Sequence, residues 1–172
     1  NAFHCLGLFV NLQSSRNMKF YSLLLLLMLF SCSKEKPSQA IFKRLSAQET
    51  GIDFSNDLTH DVATRSNLFD FDYFYNGAGV GVADLNNDGL LDLYFAGNQV
   101  EDKLYLNKGN FKFQDISDHA NLNLGLEGWS NGVSFVDINS DGFLDIYVSR
   151  GGPFDADQRA NLLYVNQGDQ TF

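Results

Sequence analysis

The sequence predicts an all-β fold: about two four-stranded β-propeller blades of an incomplete ring, preceded by an export signal. Three observations carry that reading. Two nonapeptides, residues 84–92 (DLNNDGLLD) and 137–145 (DINSDGFLD), are nearly identical and lie 53 residues apart. Their flanks align at the same spacing, residues 76–80 with 129–133 and 91–95 with 144–148. Between turn signals the apolar residues alternate: Leu91, Leu93 and Phe95 fall on one face, Asp92 and Tyr94 on the other, and Leu144, Ile146 and Val148 repeat the division. A period in the fifties, built of short alternating segments, belongs to propeller blades rather than to a helical solenoid. Hairpins of a β-sandwich are the alternative.

Taken from the N-terminus, residues 1–17 precede Met18, do not begin with methionine, and are expected to be upstream sequence outside the mature protein. Residues 18–31 read as a signal peptide, with Lys19 near the start, an unbroken apolar run over 23–30 and Ser31 before Cys32. That run is too short for a membrane span of roughly 20 residues. Residues 29–32, Leu-Phe-Ser-Cys, resemble the lipobox of bacterial lipoproteins, although Phe30 departs from the small residue usual two places before the cysteine. The resemblance implies acylation of Cys32 and a protein held by lipid in the bacterial envelope, expected at the outer membrane on its periplasmic or surface face. Two or more acyl chains give stable anchoring where one is marginal. Cys5 lies upstream, so the mature chain offers Cys32 no disulfide partner. Residues 32–40 comprise the anchor and a polar tether, SKEKPSQA from Ser33.

Residues 41–78 form an N-terminal segment with a lead-in strand. Within it, residues 42–46 resemble 113–117, which leaves two options: an outer strand that closes the last blade, or a plain loop. The stretch 70–75 (DFDYFY) reads as a blade strand packing its aromatics, with a sugar platform as the alternative. The first blade occupies 79–131, with strands at 79–83, 91–96, 103–107 and 111–115. Turn chemistry separates them at Asn87-Asp-Gly89 and Lys108-Gly-Asn110, and Ser140-Asp-Gly142 repeats the first of these. The second blade, 132–172, follows the same plan but is truncated. Leu163-Tyr-Val-Asn166 and Phe172 match Leu104-Tyr-Leu-Asn107 and Phe113 at 59 residues, so the second copy carries six extra residues near 151–157. Because closed propellers have about four to eight blades, the chain is expected to be a fragment of a longer protein.

Charge narrows the function. The chain carries 12 basic and 21 acidic residues, and all the acidic ones follow Cys32. With Arg16 and Lys19 removed alongside the signal segment, the formal charge is −11. Such a chain is a poor match for nucleic acid, whose binding rests on neutralising phosphates with Lys and Arg. Six of the acids sit in the two nonapeptides, where they repel one another unless a cation is bound.

Each nonapeptide places oxygen side chains at positions 1, 3, 5 and 9 and glycine at 6, a spacing that suits calcium, which takes six to eight oxygen ligands and tolerates irregular geometry. The assigned ligands are Asp84, Asn86, Asp88 and Asp92 with the carbonyl of Leu90, and Asp137, Asn139, Asp141 and Asp145 with the carbonyl of Phe143. An EF-hand requires a bidentate glutamate at position 12 and flanking helices; Phe95 and Val148 stand there, between strand-like flanks. Two structural calcium ions are therefore expected, with affinities of about 10⁻⁴ to 10⁻³ M as in extracellular modules.

The run Gly-Val-x-x-x-Asp-x-Asn-x-Asp-Gly-x-x-Asp, followed by Leu-Tyr-x-Asn, resembles the FG-GAP/VCBS repeat, the calcium-loop blade of integrin alpha-chain propellers and many bacterial surface proteins. With residues 74–77, 97–99 and 103–107, the chain is similar to bacterial lipoproteins related to cartilage acidic protein, many of which end in an ASPIC/UnbV domain. The resemblance covers roughly residues 42–172 and implies a binding module of no assigned reaction. His60 and His119 are isolated and read as solvated loop residues, and no catalytic triad, phosphate loop or zinc spacing can be assembled. Tyr94 and Tyr147 read as packing between blades. The expected function is a calcium-stabilised, membrane-anchored propeller module, not an enzyme, with a glycan or a protein as ligand. The alternatives are the propeller portion of an envelope polysaccharide-active enzyme whose catalytic part lies elsewhere, and calcium-dependent adhesion between cells.

Overall fold

The computed structural model describes residues 41–122 and 128–172. The expected signal peptide, Cys32 and the tether lie outside the described residues. Every element below belongs to one compact unit, residues 44–172.

Among the described residues the fold is all-β but for one short helix. Strands β1 (Val80–Ala83), β2 (Asp92–Phe95), β3 (Lys103–Asn107) and β4 (Phe113–Asp115) form an antiparallel meander in that order. A second antiparallel sheet contains β5 (Trp129–Val136), β6 (Asp145–Gly151) and β7 (Leu162–Tyr164). The predicted strands of the first blade are present within two residues at each end. The largest departure is at β4, expected from residue 111. Phe111 has φ 56° and Asn110 φ 52°, left-handed values that keep both in the β3–β4 turn, and the ladder begins at Phe113.

In the second sheet, β5 begins at Trp129 and runs across the expected division between blades at 131/132, with a bulge between Ser130 and Gly132. The bulge accompanies a longer pairing, since Trp129 and Ser130 oppose Gly151 and Arg150. Relative to the first sheet, the six additional residues are split between three that lengthen β6 and three that lengthen the β6–β7 connection.

The two sheets pack face to face, and the register says which faces meet. In the first sheet Gly81, Ala83, Asp92, Tyr94, Leu104 and Leu106 share one side. In the second, Val133, Phe135, Ile146, Val148, Leu162 and Tyr164 share the face that meets it. Tyr94, Leu104, Ile146 and Val148 are fully buried in this core, each stabilising by about 1.5–3 kcal/mol through the apolar surface it removes from water. Gly81 permits the approach of β1 to β5: a Cβ there would lie 2.6 Å from the Phe135 ring. Tyr94 therefore packs between blades as predicted. Tyr147, its counterpart in the repeat, is on the opposite face and 39% exposed, because the second sheet presents its Ile146/Val148 side to the first.

Residues 44–79 depart most from expectation. Residues 42–46 form no strand. Instead Ser46 caps α1 (Ala47–Thr50) through a capping box, its Oγ accepting from Glu49 N at 3.2 Å while Glu49 Oε2 accepts from Ser46 N at 2.9 Å. Lys112 Nζ, from the β3–β4 turn, donates to the Glu49 carbonyl, so this segment sits against the first sheet rather than completing the second. Residues 70–75 form turns, not a strand. Phe74 is fully buried there, its ring 5.6 Å from that of Trp129, and Phe71 meets Trp129 edge-on at 5.4 Å. Between these, Phe54 stacks on Phe95 at 5.0 Å and Asp53 accepts from the Tyr105 hydroxyl at 2.8 Å.

Candidate functional site

The β1–β2 and β5–β6 connections are the two aspartate loops, and they fold alike. Asn87 and Ser140 both adopt left-handed backbone, at φ 59° and 61°, and Gly89 and Gly142 do so at 86° and 91°. These pairs turn the chain back within nine residues. Glycine adopts such angles at no steric cost, and asparagine at little.

The side chains close each loop on itself. Asp84 accepts from Asp88 N at 3.1 Å on one oxygen and from Gly89 N at 2.8 Å on the other. Asn86 Oδ1 also accepts from Asp88 N at 3.1 Å, and Asp88 Oδ1 accepts from Leu90 N at 2.8 Å. The second loop repeats these bonds: Asp137 with Asp141 N at 3.2 Å and Gly142 N at 3.0 Å, Asn139 with Asp141 N at 3.1 Å, and Asp141 with Phe143 N at 2.9 Å. Thus Asp84, Asn86 and Asp88 are brought together, as are Asp137, Asn139 and Asp141. Leu90 and Phe143, assigned through their carbonyls, lie at the loop exits.

Asp92 and Asp145 bond differently. Both are fully buried. Asp92 accepts from Leu85 N at 3.0 Å and from Asn107 N at 2.9 Å, and Asp145 accepts from Ile138 N at 2.9 Å and Asn166 N at 2.8 Å. Each carboxylate staples the loop entrance to the end of the third strand. Burial raises the Asp92 pKa, the nearby charges of Asp88 and Asp84 add to the rise, and the two backbone bonds oppose it. Among the described residues, no three or more His, Cys, Asp or Glu side chains converge in a group that could hold a metal ion. The cluster of each loop is nonetheless an all-oxygen donor set of two carboxylates and an amide, the chemistry that calcium takes.

The asparagine of Leu-Tyr-x-Asn has a role that pattern alone did not assign. Asn107 donates to the Leu91 carbonyl at 2.9 Å and accepts from Gly109 N at 2.8 Å, so it joins the loop exit to the next turn. Asn166 does the same to Leu144 at 3.1 Å and Gly168 at 2.9 Å, and it also donates to the Leu85 carbonyl of the other sheet at 2.8 Å. Its recurrence in both copies was the available signal.

At the other end of β2 a cavity of about 650 Å³ is lined by Asn98, Gln99, Asp102, Ser130, Arg150 and Tyr164, among others. Several of its polar groups are engaged with the protein. Asp102 accepts from Gly97 N, the Tyr94 hydroxyl and the Ser130 hydroxyl, and Asn98 and Gln99 are tied to Asn56 and Thr59. Burial raises the Asp102 pKa against these bonds and the Arg150 charge, and it lifts Tyr164 to about 12. His60 and His119 are both exposed and lie outside this network.

Residues 84–148 match the family model described as an FG-GAP-like repeat. The matched span begins on Asp84 of the first loop, includes the whole of the second and ends in β6, so it coincides with the duplicated loop-and-strand unit. The match suggests a β-propeller-like interaction module. No curated protein and no solved structure matches the chain.

Proposed function

We propose that the FG-GAP-like repeat of this chain is a calcium-binding interaction module, carried at a bacterial envelope by lipid on Cys32, in which calcium serves structure rather than chemistry. One observation carries the calcium reading: the two loops repeat the same hydrogen bonds, and each gathers two carboxylates and an amide at an exposed turn. Asp84, Asn86 and Asp88 would hold one ion and Asp137, Asn139 and Asp141 the other, with Asp92 and Asp145 fixing the base of each loop. Bound calcium supplies the countercharge for carboxylates that otherwise repel one another. Anchoring rests on the position of Cys32 after the apolar run, and the ligand is a glycan or a protein rather than a polyanion, given the acidic chain.

The test is a thermal melt of the 172-residue chain in calcium, in magnesium and in chelator. With affinities of about 10⁻⁴ to 10⁻³ M, about 10 mM calcium should stabilise the fold by about 1.4–2.7 kcal/mol per site, with no matching gain from magnesium. A folded chain whose melt ignores calcium would sink the metal reading and leave the aspartates as turn formers.

A further inference from the structure

We infer that the cavity at the far end of β2 from the aspartate loops binds a short neutral saccharide, held by hydrogen bonds that the ligand's hydroxyls donate. This rests on the reading of the chain as an interaction module, not on calcium, and it selects the glycan of the two ligand classes named above. The volume, about 650 Å³, lies within the range of small-molecule sites. Three hydroxyls of the wall have each given their one proton to the protein: Thr64 Oγ1 to Asp61 at 3.0 Å, Ser130 Oγ to Asp102 at 3.0 Å, and the Tyr164 hydroxyl to the Leu122 carbonyl at 2.7 Å. Each has only lone pairs left to offer. Glu101, exposed in the same wall, adds a carboxylate. Such a wall selects a ligand rich in donors.

Charge and composition narrow the ligand further. The Arg150 guanidinium lies in the wall against the backbone of Gly128, where a Cβ would come within 1.3 Å of Nη2. A cationic ligand meets that charge, and an anionic one meets Glu101 and Asp102. A peptide brings a carbonyl acceptor with almost every N–H, which a wall of acceptors leaves unpaired. A sugar hydroxyl both donates and accepts. Gln99 Nε2 donates to the Thr59 carbonyl at 3.2 Å and has a second proton for such an acceptor. The rings of Phe154 and Tyr164 supply apolar surface for the C–H faces of a sugar, Phe154 being carried by the lengthened β6–β7 connection. The wall is also held in advance: Asn98 and Gln99 are bonded to Asn56 and Thr59, and Asp102 to Ser130, so binding has little left to order.

The single tryptophan of the chain reports on the site. Trp129 stands between Gly128 and Ser130 of the wall, and a Cβ on Gly152 would lie 2.6 Å from Trp129 and 3.0 Å from Phe154, so the two side chains are neighbours. The experiment titrates the whole chain with short oligomers of glucose, mannose, galactose and xylose, and with a uronic-acid and a glucosamine oligomer as charged comparators. Trp129 emission and heat are followed, in calcium buffer, so that the outcome does not depend on whether the loops take metal. At least one neutral oligomer should bind about tenfold or more tighter than either comparator, a difference of about 1.4 kcal/mol. Phe154→Ala should weaken it by about fivefold or more, as loss of a binding anchor does. Glu101→Gln should weaken it less and bring the uronic-acid oligomer closer to the neutral one. Thermal melts check that both variants fold, and if Phe154→Ala does not, Glu101→Gln decides. No binding by any neutral oligomer, preference for a charged one, or binding that ignores both substitutions would overturn the site. The first of these would leave a protein as the module's ligand and would not touch the calcium reading, which the melt decides.

Discussion

The Tyr94 hydroxyl donates to Asp102 at 2.7 Å, and the same carboxylate oxygen accepts from Ser130 at 3.0 Å. Tyr94 and Asp102 belong to the first sheet or its β2–β3 connection and Ser130 to the second, so one buried acceptor stitches the two sheets together. Asp102→Asn turns an amide towards donors that need an acceptor, and should cost about 2–4 kcal/mol in urea unfolding. Tyr94→Phe removes one donor of three and should cost less.

The same pair predicts a pH dependence. Burial raises Asp102 above the ordinary carboxylate value of 3.8, so between that value and the raised one the folded chain binds its proton more tightly than the unfolded chain does. Stability from this group therefore falls as pH rises from 3.8 through the raised value, then stays level. Unfolding free energies of wild type and Asp102→Asn, measured across that range, should draw closer as pH increases. A constant difference would count against the shift.

Asn166 and Asn107 are equivalent in the repeat but unequal in the fold. Asn166→Ala leaves the Leu85 and Leu144 carbonyls without their donor in a buried site, and should cost about 1–3 kcal/mol. Asn107→Ala loses a more exposed bond to the Leu91 carbonyl and should cost less. Equal losses in chemical denaturation would show that the contact between sheets carries no weight.

Gly81 and Gly89 separate crowding from backbone strain. Gly81→Ala drives a Cβ to 2.6 Å from the Phe135 ring and should cost about 1–3 kcal/mol, part of which Phe135→Leu should restore. A Cβ on Gly89 meets nothing within 4 Å, so Gly89→Ala should cost only about 1–2 kcal/mol for its φ of 86°, with no rescue by Phe135→Leu.

Asp84→Asn combined with Asp137→Asn removes one carboxylate from each loop. Under the calcium reading, the rise of this variant's melt in calcium should largely disappear, while in chelator the loss of one accepted backbone bond per loop offsets the relief of repulsion. A full rise in the double variant would exclude both residues as ligands.

Much of the architecture was legible in the chain. Strand and turn positions follow from alternation of apolar residues and from Asn-Asp-Gly chemistry, which act over a few residues and recur at Asp84 and Asp137. The six-residue insertion could be counted in advance. Local signals also misled: DFDYFY at 70–75 has strand composition, yet Phe71 and Phe74 pack on Trp129, more than 50 residues away, and the chain turns to deliver them. The Ser46-x-x-Glu49 capping box was present in the sequence and outweighed a five-residue likeness to β4.

By itself, the sequence determined the repeat, the loops and the order of strands, because these depend on spacing along one chain. Only the tertiary structure decided which face of each sheet is buried, and so why Tyr94 is enclosed while Tyr147 faces outward. It also decided that Asp92 and Asp145 turn inward to backbone N–H groups, and that Asn87 and Asn166 reach across to the neighbouring blade. The physical reason is that alternation defines two faces for every strand, whereas the choice between them belongs to the sheet that packs against it.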